Sequence, residues 1–536
     1  MRWLALLLAA AAGCSRCAGE RSAASADELL PPRAPLVIGT GDLGASAQRL
    51  AGLVERAGTV PGGEQLGDIR RQVAAQLGFD PLKREGLLAA GLDPGRSAAL
   101  VATLPGWVVA LPLTKPELFA QTIDRLLREK AGFAVRTEEA HQGVRCAVYA
   151  RESGGPKVAT AIVRGYGLIA RGDDPAREIG AAAARPREQA LAADAAWSEV
   201  RTAMKASPPG DAALFAPAGS AIGLRAPTRK PLAGDSSAVF SFASDGLSVR
   251  LRAGLSAEDA KNAQALLPGG GADLLPLLPR DAPFKARLGL SPAAVPGQIA
   301  RLPLVGNALA ALRREASARG VDLDKDLFGS LKPGLVASMA TAGALDISKV
   351  VDFGFLDWRA RSPFDFVQVA ALAEVGDKPR LLAALEAVAA ALPQVGARAE
   401  RQGDGWQVTY AGGAGARFGV LLAQGRTLAY LVGGGVKPER LLPDPAAREP
   451  ALEGAEGVAV AFDLGRLAAA VRALPESAYG SGPQSFIARS LVGQVIEPLK
   501  ALRGSLQLAP SPGGLLATAR VEIVAAGGAG VQNRGP

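Results

Sequence analysis

The chain has 536 residues, enough for two to four domains, and 49% are hydrophobic, which excludes a disordered chain. Lys and Arg (60) exceed Asp and Glu (51) by nine, but the charges are interspersed and aromatic residues are only 5%, which argues against a nucleic-acid platform. Three cysteines and one histidine exclude a disulfide-built scaffold and leave little for a His/Cys metal centre. In chain order, one charge at Arg2 is followed by an apolar run from Trp3 to Ala12. Ten apolar residues are too few for a membrane-spanning helix, which needs about 20, but suit the core of an export signal.

Small residues close that run: Ala11, Ala12, Gly13, then Cys14. The segment resembles the lipobox of bacterial lipoproteins, with Ala11 standing where Leu or Val is usual. The resemblance implies that residues 1–13 are a signal peptide and that Cys14 becomes the lipidated (diacylglyceryl, palmitate-type) N-terminus. With Ser15 rather than Asp next, it also implies an outer-membrane location facing the periplasm. Ordinary Ala-x-Ala cleavage after Ala12, giving a soluble exported protein, is the competing outcome. Residues 14–34, small and polar and ending at Pro31-Pro32, read as a flexible tether. The body has no other long apolar run, because residues 98–113 are interrupted by Pro105 and Pro112. Cys17 and Cys146 remain for a disulfide, which would close a loop of about 130 residues. The alternative is a buried apolar thiol, since Val144, Cys146 and Val148 share a strand face.

The body occurs twice. Lys115-Pro116 and Lys378-Pro379 each end a strand and open a helix, whose apolar faces are Leu118, Phe119, Ile123, Leu126 and Leu127 in one copy and Leu382, Leu385, Ala389 and Leu392 in the other. Each copy then runs through a strand to a tyrosine (Tyr149, Tyr410), a turn at a glycine (Gly165, Gly425), and an x-Pro helix start (Asp174-Pro175, Lys437-Pro438). The expected fold is α+β: two homologous units, each a meandering antiparallel sheet with helices packed on one face. The first unit spans 35–256, a Pro/Gly-rich junction 257–282, the second unit 283–524 and a disordered tail 525–536. The pattern resembles an uncharacterised family of exported bacterial proteins built from repeated α+β units, a domain of unknown function. That resemblance brings no catalytic residue with it.

Motifs that point to chemistry fail on their context. Gly39, Gly41 and Gly44 spell G-x-G-x-x-G between a strand and a helix, but no second strand ending in an acid follows. Asp322, Asp324 and Asp326 alternate like a calcium loop, but Leu327 and Pro333 stand where an EF-hand needs Gly and Glu. The Asp352-Phe353-Gly354 triplet has no other kinase motif beside it. His141 lies in a polar turn without a G-x-S-x-G elbow. No catalytic, cofactor-binding or metal residue is therefore assigned. The expected function is a lipid-anchored envelope protein, not an enzyme, that binds or scaffolds an envelope protein or an apolar ligand. It takes no cofactor and no nucleic acid, and meets the membrane through its anchor. The alternative is an envelope hydrolase using paired carboxylates from distant positions.

Overall fold

The computed structural model describes residues 23–524 apart from 33, 103–105, 207, 221–231, 301–302, 342–363, 365–366, 411–414 and parts of 475–498. The chain divides into two compact units, one ending at Ser244, the other taking Asp245 onward together with Arg56–Glu64. Both are α+β with antiparallel sheets. In the first unit the strands are β1 (Leu36–Thr40), β2 (Ala98–Ala102), β3 (Trp107–Pro112), β4 (Val135–His141), β5 (Val144–Ala150), β6 (Lys157–Val163), β7 (Tyr166–Gly172), β8 (Ala212–Ala216) and β9 (Ser236–Ala243). They pair in the order 9-8-1-2-3-7-6-5-4.

The second unit holds β10 (Gly246–Gly254), β11 (Phe284–Leu288), β12 (Leu331–Thr341), β13 (Val367–Val375), β14 (Ala397–Gln402), β15 (Gly405–Tyr410), β16 (Ala416–Ala423), β17 (Arg426–Gly433), β18 (Val458–Asp463), β19 (Leu502–Ser511) and β20 (Gly514–Ile523). Their order is 10-20-19-18-11-12-13-17-16-15-14. Adding ten to every strand number of the first sheet reproduces 19-18-11-12-13-17-16-15-14. The last strand of the first sequence copy, β10, belongs to the second compact unit, where all nine of its residues lie antiparallel to β20. Two-residue turns with both φ angles positive join β6 to β7 (Arg164 48°, Gly165 80°) and β16 to β17 (Gln424 50°, Gly425 69°). They are the primed turns that match the twist of a hairpin.

The helices that matter for the site are α1 (Leu43–Gly58), α2 (Glu64–Leu77), α3 (Arg84–Ala89), α4 (Pro116–Arg125), α5 (Pro175–Ala184), α6 (Ala195–Lys205), α7 (Ala257–Leu266), α8 (Pro303–Ser317), α9 (Lys378–Ala391) and α10 (Leu464–Arg472). Carboxylates cap several of them. Asp174 accepts from Arg177 N at 3.2 Å, Asp194 from Ala196 N at 2.9 Å, and Asp377 from Arg380 N at 3.2 Å. In the first unit α5 and α6 close the main core with Ile179, Trp197 and Val200 over Val37, Val101, Val148 and Leu168. On the opposite face α4 lays Phe119 over Gly167, where a Cβ would come within 2.4 Å of the ring. The second unit builds its core from Leu274, Leu275 and Leu452 against Val336, Leu372 and Leu428. There α9 is buried on two sides. Leu381 meets Val375 and Val420, and Ala384 and Ala387 meet Ala316 of α8, so its contact surface is wider than the face expected from leucine spacing.

Two expectations need correction. Of the tether assigned to 14–34, residues from Ala23 are folded: Ala26, Leu29 and Leu30 are fully buried in the first core. A 3-10 turn (Ala26–Glu28) holds them, with Ala26 N donating to Ser97 Oγ at 2.9 Å. The junction assigned to 257–282 is likewise structured: it contains α7 and the buried turn Ala272–Leu277. The two stretches are copies of each other. Ala26-Asp27-Glu28-Leu29-Leu30-Pro31 answers Ala272-Asp273-Leu274-Leu275-Pro276, and each copy enters its first strand through Ala-Pro (Ala34-Pro35, Ala282-Pro283). The repeat therefore begins some ten residues earlier than the strand pattern indicated. The tail assigned to 525–536 lies outside the described residues.

Candidate functional site

An antiparallel sheet covered on one face normally turns polar side chains to the other. The second unit does the reverse. On the core side of β11, Lys285 and Arg287 are buried among apolar neighbours, with backbone carbonyls as partners. Lys285 Nζ donates to Ala447 O at 2.7 Å, and Arg287 donates to Gly270 O and Leu452 O at 2.8 and 2.9 Å. Burial lowers the proton affinity of both groups. The opposite side is apolar from β10 to β15 in the three rows that follow, and its first charge is Arg401 of β14, paired with Trp406. Following strand register, one row runs Val249, Ala519, Leu506, Val460, Ala286, Ala337, Ala371, Leu431, Phe418, Trp406. The row two residues above, from Leu247 through Phe462, Phe284 and Met339 to Ala399, is also free of polar side chains. So is the row below, from Leu251 through Leu508, Val458 and Leu288 to Val420.

At the usual strand spacing this strip is roughly 50 Å long and roughly 14 Å wide. It is partly open. Leu506 is 50% exposed, Met339 44% and Leu431 38%. Exposed large apolar side chains on one face make it a candidate binding surface. At one end Trp406 stacks on Phe418 with ring centroids 5.4 Å apart, and the Arg401 guanidinium lies 5.6 Å from the Trp406 ring. The matching row of the first unit, Ala238, Leu214, Ile38, Leu100, Val109, Ile169, is also apolar, with Ile38 41% exposed.

The first unit holds a second feature, a polar cavity of about 390 Å³ between the Ala26–Glu28 turn, the end of β1, the start of β2 and α6. Asp27 is its buried acid. Trp197 Nε1 donates to Asp27 Oδ2 at 2.9 Å, and Arg201 Nη1 lies 3.2 Å from the same oxygen. The other oxygen, Oδ1, is buried without a partner among the described residues. Gly39 and Gly41 line this cavity, and close packing accounts for Gly39 and, beside the cavity, Gly44. A Cβ on Gly39 would stand 3.1 Å from the Trp197 ring, and one on Gly44 2.6 Å from Pro94 Cβ. Strand β1 is antiparallel to both its neighbours, so the parallel pair a dinucleotide fold requires is missing there.

Of the residues singled out by sequence, Cys14 and Cys17 lie outside the described residues, as does the triplet 352–354. Cys146 is a free thiol, fully buried beneath α5, with Ala176 O 3.9 Å from its sulfur. Burial, helped by the Glu139 carboxylate, pushes it up to about 11. Asp322 caps a helical turn, accepting from Asp324 N at 3.1 Å, and holds no calcium-loop geometry. His141 ends β4, its Nε2 3.6 Å from Glu139 Oε2. Sequence reasoning found no ligand partners for it, because Asp174 is 33 positions away and only the packing of α5 on the β4–β5 hairpin brings it near.

No protein-family model matches the chain, and no curated protein does. Among solved structures, TP0453 in crystal form I is similar to it at a TM-score of 0.24 and 9% identity, over 44% of this chain and 80% of that one. TP0453 in crystal form III gives 0.26 and 11%, over 46% and 88%. Likeness at this level carries no argument about function.

Proposed function

We propose that this is an exported, lipid-anchored protein of the bacterial cell envelope that binds an apolar, acyl-chain-like ligand and catalyses no reaction. The observation that supports the reading is the apolar, partly open face of the second sheet, with Arg401 the charge at its β14 end. The strip is long and narrow, which suits extended hydrocarbon better than a compact ring system. A dozen methylenes leaving water supply roughly 10 kcal/mol. Association takes at least about 4 of these, which leaves about 6 kcal/mol, a dissociation constant of tens of micromolar. The anchor at Cys14, from the lipobox resemblance, would hold such a protein beside a source of lipid.

The test is fluorescence titration with a dansyl fatty acid. The full chain should bind it saturably with a dissociation constant of tens of micromolar. Leu506→Glu and Leu431→Glu replace exposed side chains, so circular dichroism should stay unchanged while affinity falls at least tenfold. Absence of saturable binding, or variants that bind as well as the parent, would overturn the reading.

A further inference from the structure

The one histidine of the chain sits in a place built from three elements. Glu139 and His141 are two apart on β4 and so project to the same side of the strand. Asp174 is the N-cap of α5, its Oδ1 fixed by the Arg177 N–H at 3.2 Å. Helix α5 can lie this close to the hairpin because residue 180 is glycine: a Cβ there would come 2.8 Å from His141 Cβ. One ligand-type atom from each of Glu139, His141 and Asp174 lies within 4.8 Å of the other two. His141 Nε2 and Glu139 Oε2 are 3.6 Å apart. A tetrahedral zinc ion with nitrogen and oxygen ligands at about 2.0–2.2 Å sets those atoms roughly 3.3–3.6 Å apart. The Asp174 oxygen is within 4.8 Å of both, so a side-chain adjustment of no more than roughly 1.5 Å brings it to such a spacing.

The second sequence copy shows what a closed version of this place looks like. Strand register equates Glu139 with Glu400 and His141 with Gln402, and the x-Pro helix start equates Asp174 with Lys437. There Arg417 bonds Gln402 and reaches Glu439 Oε1 at 2.9 Å, so a guanidinium bridges the hairpin end and the helix start. In the first copy neither Glu139 nor Asp174 has an arginine or lysine partner among the described residues. Two carboxylates and an imidazole converge without a protein cation between them.

We infer that Glu139, His141 and Asp174 form a binding site for one divalent transition-metal ion of the zinc class, with solvent completing the coordination. Imidazole selects such ions over calcium or magnesium, which prefer all-oxygen sites. The site is independent of the apolar face, so it stands or falls separately from ligand binding there.

Calorimetric titration of the metal-stripped full chain with zinc chloride tests it. One ion should bind with low-micromolar affinity. His141→Ala should weaken binding at least thirtyfold. Asp174→Asn, which keeps the helix cap, should weaken it about tenfold. Both variants change partly exposed positions, and unchanged circular dichroism separates loss of a ligand from loss of fold. If zinc binds His141→Ala as tightly as the parent, if calcium binds as tightly as zinc, or if no zinc is taken up at 100 μM, on the order of millimolar affinity or weaker, the inference fails.

Discussion

Asp27 shows how one buried side chain can govern a whole unit. Its carboxylate takes the Trp197 indole N–H and faces the Arg201 guanidinium while almost wholly removed from water. Asp27→Ala leaves the buried Trp197 indole donor without a partner and removes the Arg201 ion pair, while Arg201 keeps its bond to Ala192 O, at a cost of about 2 kcal/mol. Urea denaturation followed by Trp197 fluorescence should show that loss. Removal of residues 1–22 should leave the midpoint unchanged, whereas removal through residue 34 should abolish the transition. Equal midpoints for the two truncations would mean that Leu29 and Leu30 contribute nothing to the core. At this scale the sequence was only partly legible. The burial of Cys146 follows from strand alternation around it. The burial of Asp27 does not, because an acid in a small polar stretch carries no mark of the tryptophan 170 positions away. Gly44 shows the same limit: its spacing imitates a phosphate loop, and only the position of Pro94 explains it.

Among the elements, α2 depends chiefly on one anchor, with a longer bond from Arg125 to Leu77 O at its end. None of its residues is buried, and Leu66, Ile69 and Val73 stand exposed along one stripe. What ties it down is Arg70, which donates through Nε and Nη2 to Asp80 Oδ2 at 3.2 and 2.9 Å and through Nη1 to Glu55 Oε1 at 3.0 Å. Burial alone would raise the Asp80 carboxyl, but the Arg70 bonds and the Leu82 N–H outweigh it and hold the group below its ordinary value of 3.8. The folded value is the lower one, so the contribution is complete above the unfolded value. It is lost as pH falls through the folded one. Asp80→Asn should therefore remove about 1 kcal/mol at neutral pH and flatten the acid limb of the stability curve. Hydrogen exchange across 64–77 should quicken in the variant at pH 7 and match the parent near pH 2. A variant with parental exchange at neutral pH would show that α2 is held by something else. That a helix and not a second strand follows α1 was readable. Its lack of cover was not, since amphipathic spacing states which face is apolar and not whether anything meets it.

For the whole molecule, the duplication was the most legible property, because turn glycines and x-Pro helix starts are local signals that survive divergence. Its beginning was misplaced because Ala-Asp-(Glu)-Leu-Leu-Pro reads as linker composition when the proline weighs more than the leucine pair. The apolar face of the second sheet was half-visible. Segments such as Val458–Phe462 and Phe284–Leu288 are apolar or carry their charges on one side only, but which side faces the core depends on partners far along the chain. Placement of the candidate functions gives a last expectation. At most nine residues separate Cys14 from the folded chain at Ala23, a reach of no more than about 30 Å when fully extended. An anchor at Cys14 would thus be short, while the apolar strip belongs to the second unit. Cys14→Ser should shift the protein from the membrane pellet to the aqueous fraction. Its affinity for the dansyl fatty acid should stay within twofold of the parent, because every residue of the strip is untouched. If release from the membrane also abolished acyl binding, the ligand would be recognised through the anchor region and not by the second sheet. If Cys14→Ser stayed in the pellet, the lipidated N-terminus would be excluded as the means of attachment.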